Sequence, residues 1–239
     1  IDSTTALAQF LDGLGECDGQ PPRFYMDCEG NNLSRQGTLS LLTILLEPEN
    51  EVHLIDVTTL GRLAFTTPGK DGRTLQAILE SSKIVKVFFD IRNDSDALYS
   101  LHGIRVQGIE DIQLMELASR SGAKRTVNGL ARCIQQATSI GWKERSDWKL
   151  VKEKGQKLFD PARGGGYHVF DKRPLSEEIT SYCTQDVAFM PILRRAYRRD
   201  LCDAWWREIE RETQARVQLS QSRSYQGKGR HMAEGPPRW

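Results

Sequence analysis

The chain has 239 residues, 38% of them hydrophobic and 27% charged, with a formal net charge of +1, which suits one globular domain with extensions or at most two small domains. The near-neutral balance excludes a global basic field as the means of attracting a polyanion, although a site that carries its own cations changes the local electrostatics. No apolar run approaches the roughly 18 residues of a membrane helix, and five scattered cysteines (Cys17, Cys28, Cys133, Cys183, Cys202) lack the paired spacing of a disulfide framework or zinc knuckle.

Taken in chain order, Ala6, Leu7, Phe10, Leu11 and Leu14 recur at helical spacing and predict a helix over 3–14, capped by Ser3, Thr4 or Thr5. The stretch Gly15 to Pro22 breaks the chain and leads into three predicted strands, Phe24–Glu29, Thr38–Leu46 and Val52–Val57. Turn residues at 30–32 and 49–51 separate them. A helix over Leu75–Ser82 and a buried strand over Ile84–Phe89 follow, then helices at Asp94–Leu101, Asp111–Ser119 and Val127–Ala137. Gly164-Gly165-Gly166 marks residues 155–168 as a mobile loop. One long helical pattern runs from Ser176 to about Arg199, and Ala204–Leu219 forms a last helix. This order predicts an α/β domain with a central mixed sheet. The tail from 221 carries Arg223, Lys228, Arg230 and Arg238 against Glu234 with little apolar periodicity, which reads as disordered. The predicted organisation is a helix and linker over 1–20, a main domain over 21–202, a helix over 203–220 and a basic tail over 221–239. The opening Ile1-Asp2-Ser3 reads as that of a fragment, and nothing resembles a signal peptide. Reduced thiols point to an intracellular protein of nucleus or cytoplasm.

Three acidic signals stand out. Asp27 and Glu29 close the strand Phe24-Tyr25-Met26 and, two residues apart, project to the same face. Tyr182 and Asp186 are four apart in a helical pattern and share its face. Asp90, Asp94 and Asp96 cluster just beyond the strand over Ile84–Phe89, and spacing alone leaves all three open. Each signal by itself has an ordinary explanation: a solvated strand end, a ring packed beside a surface acid, a helix cap. Together they place several oxygen donors on elements that converge in an α/β sheet. Such a set suits a hard cation, Mg²⁺ or Mn²⁺, rather than zinc. Two such ions about 3.5–4 Å apart suit phosphodiester cleavage.

These residues resemble the ribonuclease D-like branch of the DEDD 3′–5′ exonucleases, in its tyrosine subtype, especially the fungal and Egalitarian-like members. The D-x-E motif matches Asp27 and Glu29, followed by a glycine-containing turn over 30–42. The second motif matches Lys86-Val87-Phe88-Phe89-Asp90-Ile91-Arg92-Asn93-Asp94-Ser95, with Asp94 in the metal-linked place. The third, Y-x-x-x-D, matches Tyr182 and Asp186 after Arg173-Pro174-Leu175, and Ser181 stands where a histidine subtype would differ. Phe89 departs from the histidine of many relatives. The resemblance spans about residues 3 to 200 and implies a ribonuclease H-like α/β fold, a central mixed five-stranded sheet flanked by helices. It further implies two ions, with Asp27, Glu29 and Asp186 holding the one beside the attacking water. Asp27 would bridge to the second, Asp94 would act on that ion directly or through water, and Tyr182 would orient or deprotonate the nucleophile.

The implied reaction releases nucleoside 5′-monophosphates from the 3′ end of RNA or DNA, with no membrane partner and no protein partner indicated. Arg35 and Gly37, in the loop after the first motif, and Arg92, near the second, are candidate substrate contacts; structural duty is the alternative for each. Trp142, Trp148, Trp205 and Trp206 offer rings for base stacking, with helix packing as the alternative, and His168 reads as structural. A rival reading is an RNA-binding adaptor that keeps the fold without the chemistry, which expects broken motifs. Another is a structural domain supporting a larger assembly.

Overall fold

The computed structural model describes residues 1–15, 17 and 23–239. Five strands, β1 (Phe24–Glu29), β2 (Leu41–Leu46), β3 (Glu51–Asp56), β4 (Lys86–Phe88) and β5 (Ile109–Asp111), form one sheet in the order β3-β2-β1-β4-β5. β1 pairs antiparallel with β2 and parallel with β4, so the sheet is mixed and β1 is its centre. Alternation along β1 divides the core: Phe24 and Met26 join one apolar cluster, while Tyr25 joins another. The first cluster takes in α1 (Thr4–Gly13), α2 (Val57–Leu60), α3 (Leu63–Thr66), α4 (Leu75–Glu80) and α5 (Arg92–His102). The second takes in α6 (Ile112–Ser119), α7 (Leu130–Gln136), α8 (Trp142–Phe159), α9 (Glu177–Ala188), α10 (Met190–Arg199) and α11 (Asp203–Ser220). A smaller cluster under the end of β2 joins Leu41 to Phe170, Ile179, Tyr182 and Cys183.

Ser3 caps α1 by accepting from the Ala6 amide, and Leu7, Phe10 and Leu11 seat that helix in the core. The rest of the predicted linker, residue 16 and residues 18–22, lies outside the described residues. Cys28, Cys133, Cys183 and Cys202 are free thiols. Among the described residues no helix is long and apolar enough to cross a membrane.

Several elements differ from expectation. The helical pattern over 176–199 is two helices, because Pro191 lacks the amide that would continue α9. The predicted mobile loop over 155–168 begins inside α8 and continues through single 3₁₀ turns at Pro161–Arg163 and Tyr167–Phe170. Its glycines are tied down: the Gly165 amide donates to Asp160 O and the Gly166 amide to Leu158 O, both at 3.0 Å.

The tail over 221–239, expected to be disordered, is packed against the domain. Its main chain pairs with residues 125–127, the Gly235 amide donating to Arg125 O at 2.8 Å and the Val127 amide to Ala233 O at 3.0 Å. Arg92 donates to Met232 O, and Tyr225 donates to Asn93 Oδ1 at 2.7 Å. Main-chain pairing and guanidinium donors hold this segment without apolar periodicity, so composition alone misread it.

Candidate active site

β1 ends at the middle of the sheet edge, and its last three residues carry the first motif. Asp27 lies opposite Thr43 and Glu29 opposite Leu41 on β2, which fixes both carboxylates on the face toward α9. The chain leaves β4 through Asp90, whose backbone is left-handed at φ +63°, a conformation that costs free energy for a non-glycine residue. Arg92 grips the Asp90 carboxylate with two bonds of 2.6 Å, and the Asp90 amide donates to Asp111 Oδ1 at 3.0 Å. That held turn starts α5 so that Asp94 points back at the sheet.

The three candidate acids of this segment have three different partners. Asp90 is paired with Arg92. Asp96 takes the Arg35 guanidinium at 2.8 Å and the Arg35 amide at 2.9 Å. Asp94 alone reaches the first motif, its Oδ1 accepting from the Cys28 amide at 3.0 Å. From the other side, α9 presents Tyr182 and Asp186 one turn apart. Oxygens of Asp27, Glu29 and Asp186 all lie within 4.8 Å of one another. Asp94 stands beside this trio and interacts with Asp27 through its charge.

Asp94 and Asp186 are buried and Asp27 and Glu29 half-buried, and carboxylates grouped in this way resist ionisation. Burial first, and the Asp186 charge second, push Asp27 up to about 7, with Lys152 opposing. Glu29, Asp94 and Asp186 are raised as well, burial again the leading cause. Tyr182 is pushed well above the ordinary phenol value by burial and by Asp186, Glu29 and Asp27. It is therefore placed to hold a proton rather than to give one up. Phe159 meets its ring edge-on at 5.0 Å, and Phe170, just beyond the predicted loop, lies tilted to it at 6.3 Å, so the two rings cage the phenol.

Asp186 supplies a direct test of whether the site suits a cation. Its Oδ2 accepts from Lys152 Nζ at 2.6 Å, whereas its Oδ1 is buried with no hydrogen-bond partner. An orphaned carboxylate oxygen among other carboxylates is costly unless a cation meets it. Oxygen donors of this kind fit a hard divalent ion.

The candidate substrate contacts are otherwise engaged. Arg35 spends its guanidinium on Asp96 and on the Ser220 and Ser222 carbonyls at the C-terminal end of α11, each at 2.9 Å. Arg92 serves Asp90 and the tail. A side chain at Gly37 would lie 2.2–2.3 Å from the Asn31 and Asn32 carbonyl oxygens, so glycine there closes the turn. Trp148 is buried and donates to Gln185 O at 3.1 Å, Trp205 packs on Trp239 and Trp206 under Arg198. Trp142 remains exposed. Two residues escaped sequence reasoning, Lys152 and Gly155, both on α8. Their one available signal was helical spacing from Trp148.

A mixed sheet in this order, with acids from β1, the start of α5 and the middle of α9 meeting at one edge, is the ribonuclease H-like exonuclease fold of ribonuclease D. Trypanosoma brucei RNase D in complex with GMP superposes with a TM-score of 0.75 at 22% identity, covering 98% of this chain and 68% of that one. Brucella melitensis NrnC with bound Mg²⁺ does so at 0.60 and 16%, covering 90% and 96%. Residues 1–201 match the family model for 3′–5′ exonuclease domains, and the chain belongs to that family. Among curated relatives, human piRNA biogenesis protein EXD1 is 29% identical over 171 residues, 70% of this chain and 30% of the relative. The Bombyx mori protein of that name is 23% identical over 186 residues, 76% and 51%. The chain thus spans about half or less of these relatives' length.

Proposed function

We propose that the chain is a metal-dependent exonuclease that shortens RNA from its 3′ end, releasing nucleoside 5′-monophosphates. The observation that carries this reading is the grouping of Asp27, Glu29 and Asp186 with carboxylate oxygens within 4.8 Å of one another, the Asp186 Oδ1 being buried without a hydrogen-bond partner. RNA is favoured over DNA because a similarly folded structure is that of Trypanosoma brucei RNase D with the RNA U12. The adaptor reading expects broken motifs, and the motif acids here are intact.

Asp27, Glu29 and Asp186 would hold one divalent ion, and Asp27 with Asp94 a second. Such ions supply an acidified water and counter-charge for the leaving oxygen. Tyr182, kept protonated, orients the attacking water by hydrogen bonding. Water adds to the terminal phosphorus, the bond to the penultimate 3′ oxygen breaks, and that oxygen takes a proton to become the new 3′ hydroxyl. The direct test is a time course on matched RNA and DNA oligonucleotides labelled at the 5′ end. A ladder shortening one nucleotide at a time is expected with Mg²⁺ or Mn²⁺ and none with chelator. Uncut substrate in both metals, or cutting that persists in chelator, overturns the proposal.

The raised carboxylates add a pH dependence. A carboxyl whose folded pKa exceeds its unfolded one destabilises the fold progressively as pH climbs from the ordinary value near 4 to about 7 for Asp27. Above that pH the cost is fully present. The ion-free protein should therefore lose stability through Asp27 between about pH 4 and 7. Saturating Mg²⁺ or Mn²⁺, at about a hundred times its dissociation constant, should raise Tm by about 5–10 °C at pH 8 and far less at pH 5. Equal shifts at both pH values in a calorimetric scan would show that these carboxylates are not the ion's ligands.

A further inference from the structure

α8 turns a charged residue toward the acids that the reaction scheme above leaves without a task. Trp148, Lys152 and Gly155 follow one another at helical spacing on the face that packs against α9. Trp148 donates to the Gln185 carbonyl, and Gly155 lies under the Tyr182 ring, so the helix is fixed to α9 on both sides of Lys152. The Lys152 side chain is only 17% exposed. Its Nζ stands 2.6 Å from Asp186 Oδ2, 2.9 Å from the Tyr182 hydroxyl and 4.3 Å from the centre of the Tyr182 ring.

The donor inventory fixes the directions of these bonds. An ammonium has three protons to give and no acceptor, so the Tyr182 oxygen accepts from Lys152. The phenol's own proton is then free for Asp186, with which Tyr182 also shares a hydrogen bond. The Asp186 carboxylate is thereby divided: Oδ2 accepts from Lys152, and Oδ1 is left without a hydrogen-bond partner on a carboxylate grouped with those of Asp27 and Glu29. A divalent ion can meet Oδ1 without displacing the lysine. It would then sit a few ångströms from a fixed positive charge.

We propose that Lys152 is a positioning residue, a tethered counter-ion that fixes Asp186 and Tyr182 and, by its charge, loosens the grip of the carboxylates on divalent ions. The inference rests on the metal-dependent reading given above. Without ions, Lys152 offsets part of the repulsion among Asp27, Glu29 and Asp186. With ions, it repels them while holding the phenol in line. Removing it should therefore tighten ion binding and slow the reaction, two effects of opposite sign that loss of a merely structural contact would not produce together.

The experiment titrates Mn²⁺ calorimetrically into ion-free wild type, Lys152→Met and Lys152→Gln, and melts each protein at pH 8 with and without Mn²⁺. Both variants are expected to bind Mn²⁺ about tenfold tighter, the scale of removing one like charge at short range under strong screening. Both should melt lower than wild type when ion-free, and the deficit should close in saturating Mn²⁺. On a 5′-labelled RNA, kcat should fall more in the Met variant than in the Gln variant, which keeps a donor for the phenol oxygen, while KM changes little. Should Lys152→Met fail to fold, Lys152→Gln decides on the same readings. Unchanged or weaker Mn²⁺ affinity in a folded variant overturns the inference alone. A folded wild type that binds no Mn²⁺ overturns the metal-dependent reading and this inference with it.

Discussion

Replacing Asp27 with Asn is expected to lower turnover on a 3′-hydroxyl oligonucleotide by on the order of a thousandfold or more while making the ion-free protein more stable. The two effects share one cause. Asp27 stands within reach of Glu29 and Asp186, half-buried, with its carboxyl pushed up to about 7. At pH 8 the folded protein must carry that charge against its neighbours. Asn fills the same volume but contributes no charge to repel and none to hold an ion. The ion-free Tm should rise by a few degrees at pH 8. The gain should shrink at pH 5, where the folded wild type already holds Asp27 protonated. Stability given up for function is the ordinary signature of a site assembled against electrostatic preference. The expectation fails if Asp27→Asn still produces the ladder at wild-type rate, or melts below wild type at pH 8 without ions.

What the chain disclosed before its structure was known follows from the range of each signal. Strand alternation is local, so Asp27 and Glu29 were legible as a same-face pair, and helical spacing is local, so Tyr182 and Asp186 were too. The choice among Asp90, Asp94 and Asp96 was not local. It depends on Arg35, 61 positions from Asp96, and on the Cys28 amide, 66 positions from Asp94; only resemblance to a family singled out Asp94. β5 has three residues, too few for a period to show. α8 was invisible for a different reason. Its sequence is charged on most sides, and the only fully buried residues are Trp148 and Gly155, so no apolar stripe marks it. A helix that packs through a glycine and a lysine offers hydrophobic patterning nothing to detect. The tail over 221–239 escaped likewise, since main-chain pairing leaves no trace in side-chain composition.

That glycine leads to the second large effect. Gly155→Ala should destabilise the protein and cut kcat by on the order of a hundredfold, although alanine is the better helix former. On propensity alone the substitution would stabilise α8 by roughly 1 kcal/mol. The space forbids it. A Cβ at position 155 would lie 2.4 Å from Tyr182 Cδ2, 2.7 Å from its Cγ and 2.8 Å from its Cβ. These atoms are the root of the ring, not the far end of a flexible chain, and Phe159 and Phe170 close the ring's other sides. Either α8 backs away from α9 or the phenol turns. The overpacking cost is about 1–3 kcal/mol, enough to outweigh the propensity gain and lower Tm by several degrees. Backing away also strains the Trp148 bond to Gln185, the residue before Asp186, and pulls Lys152 from Asp186 and Tyr182. Misplacing a positioned group by about 1 Å costs on the order of a hundredfold in rate, and here the phenol, the lysine and the Asp186 backbone shift together. Steady-state kinetics beside a melting curve check it. A Gly155→Ala protein with wild-type kcat and a raised Tm would mean that α9 accommodates the methyl group and that the close approach of α8 to Tyr182 has no part in the chemistry.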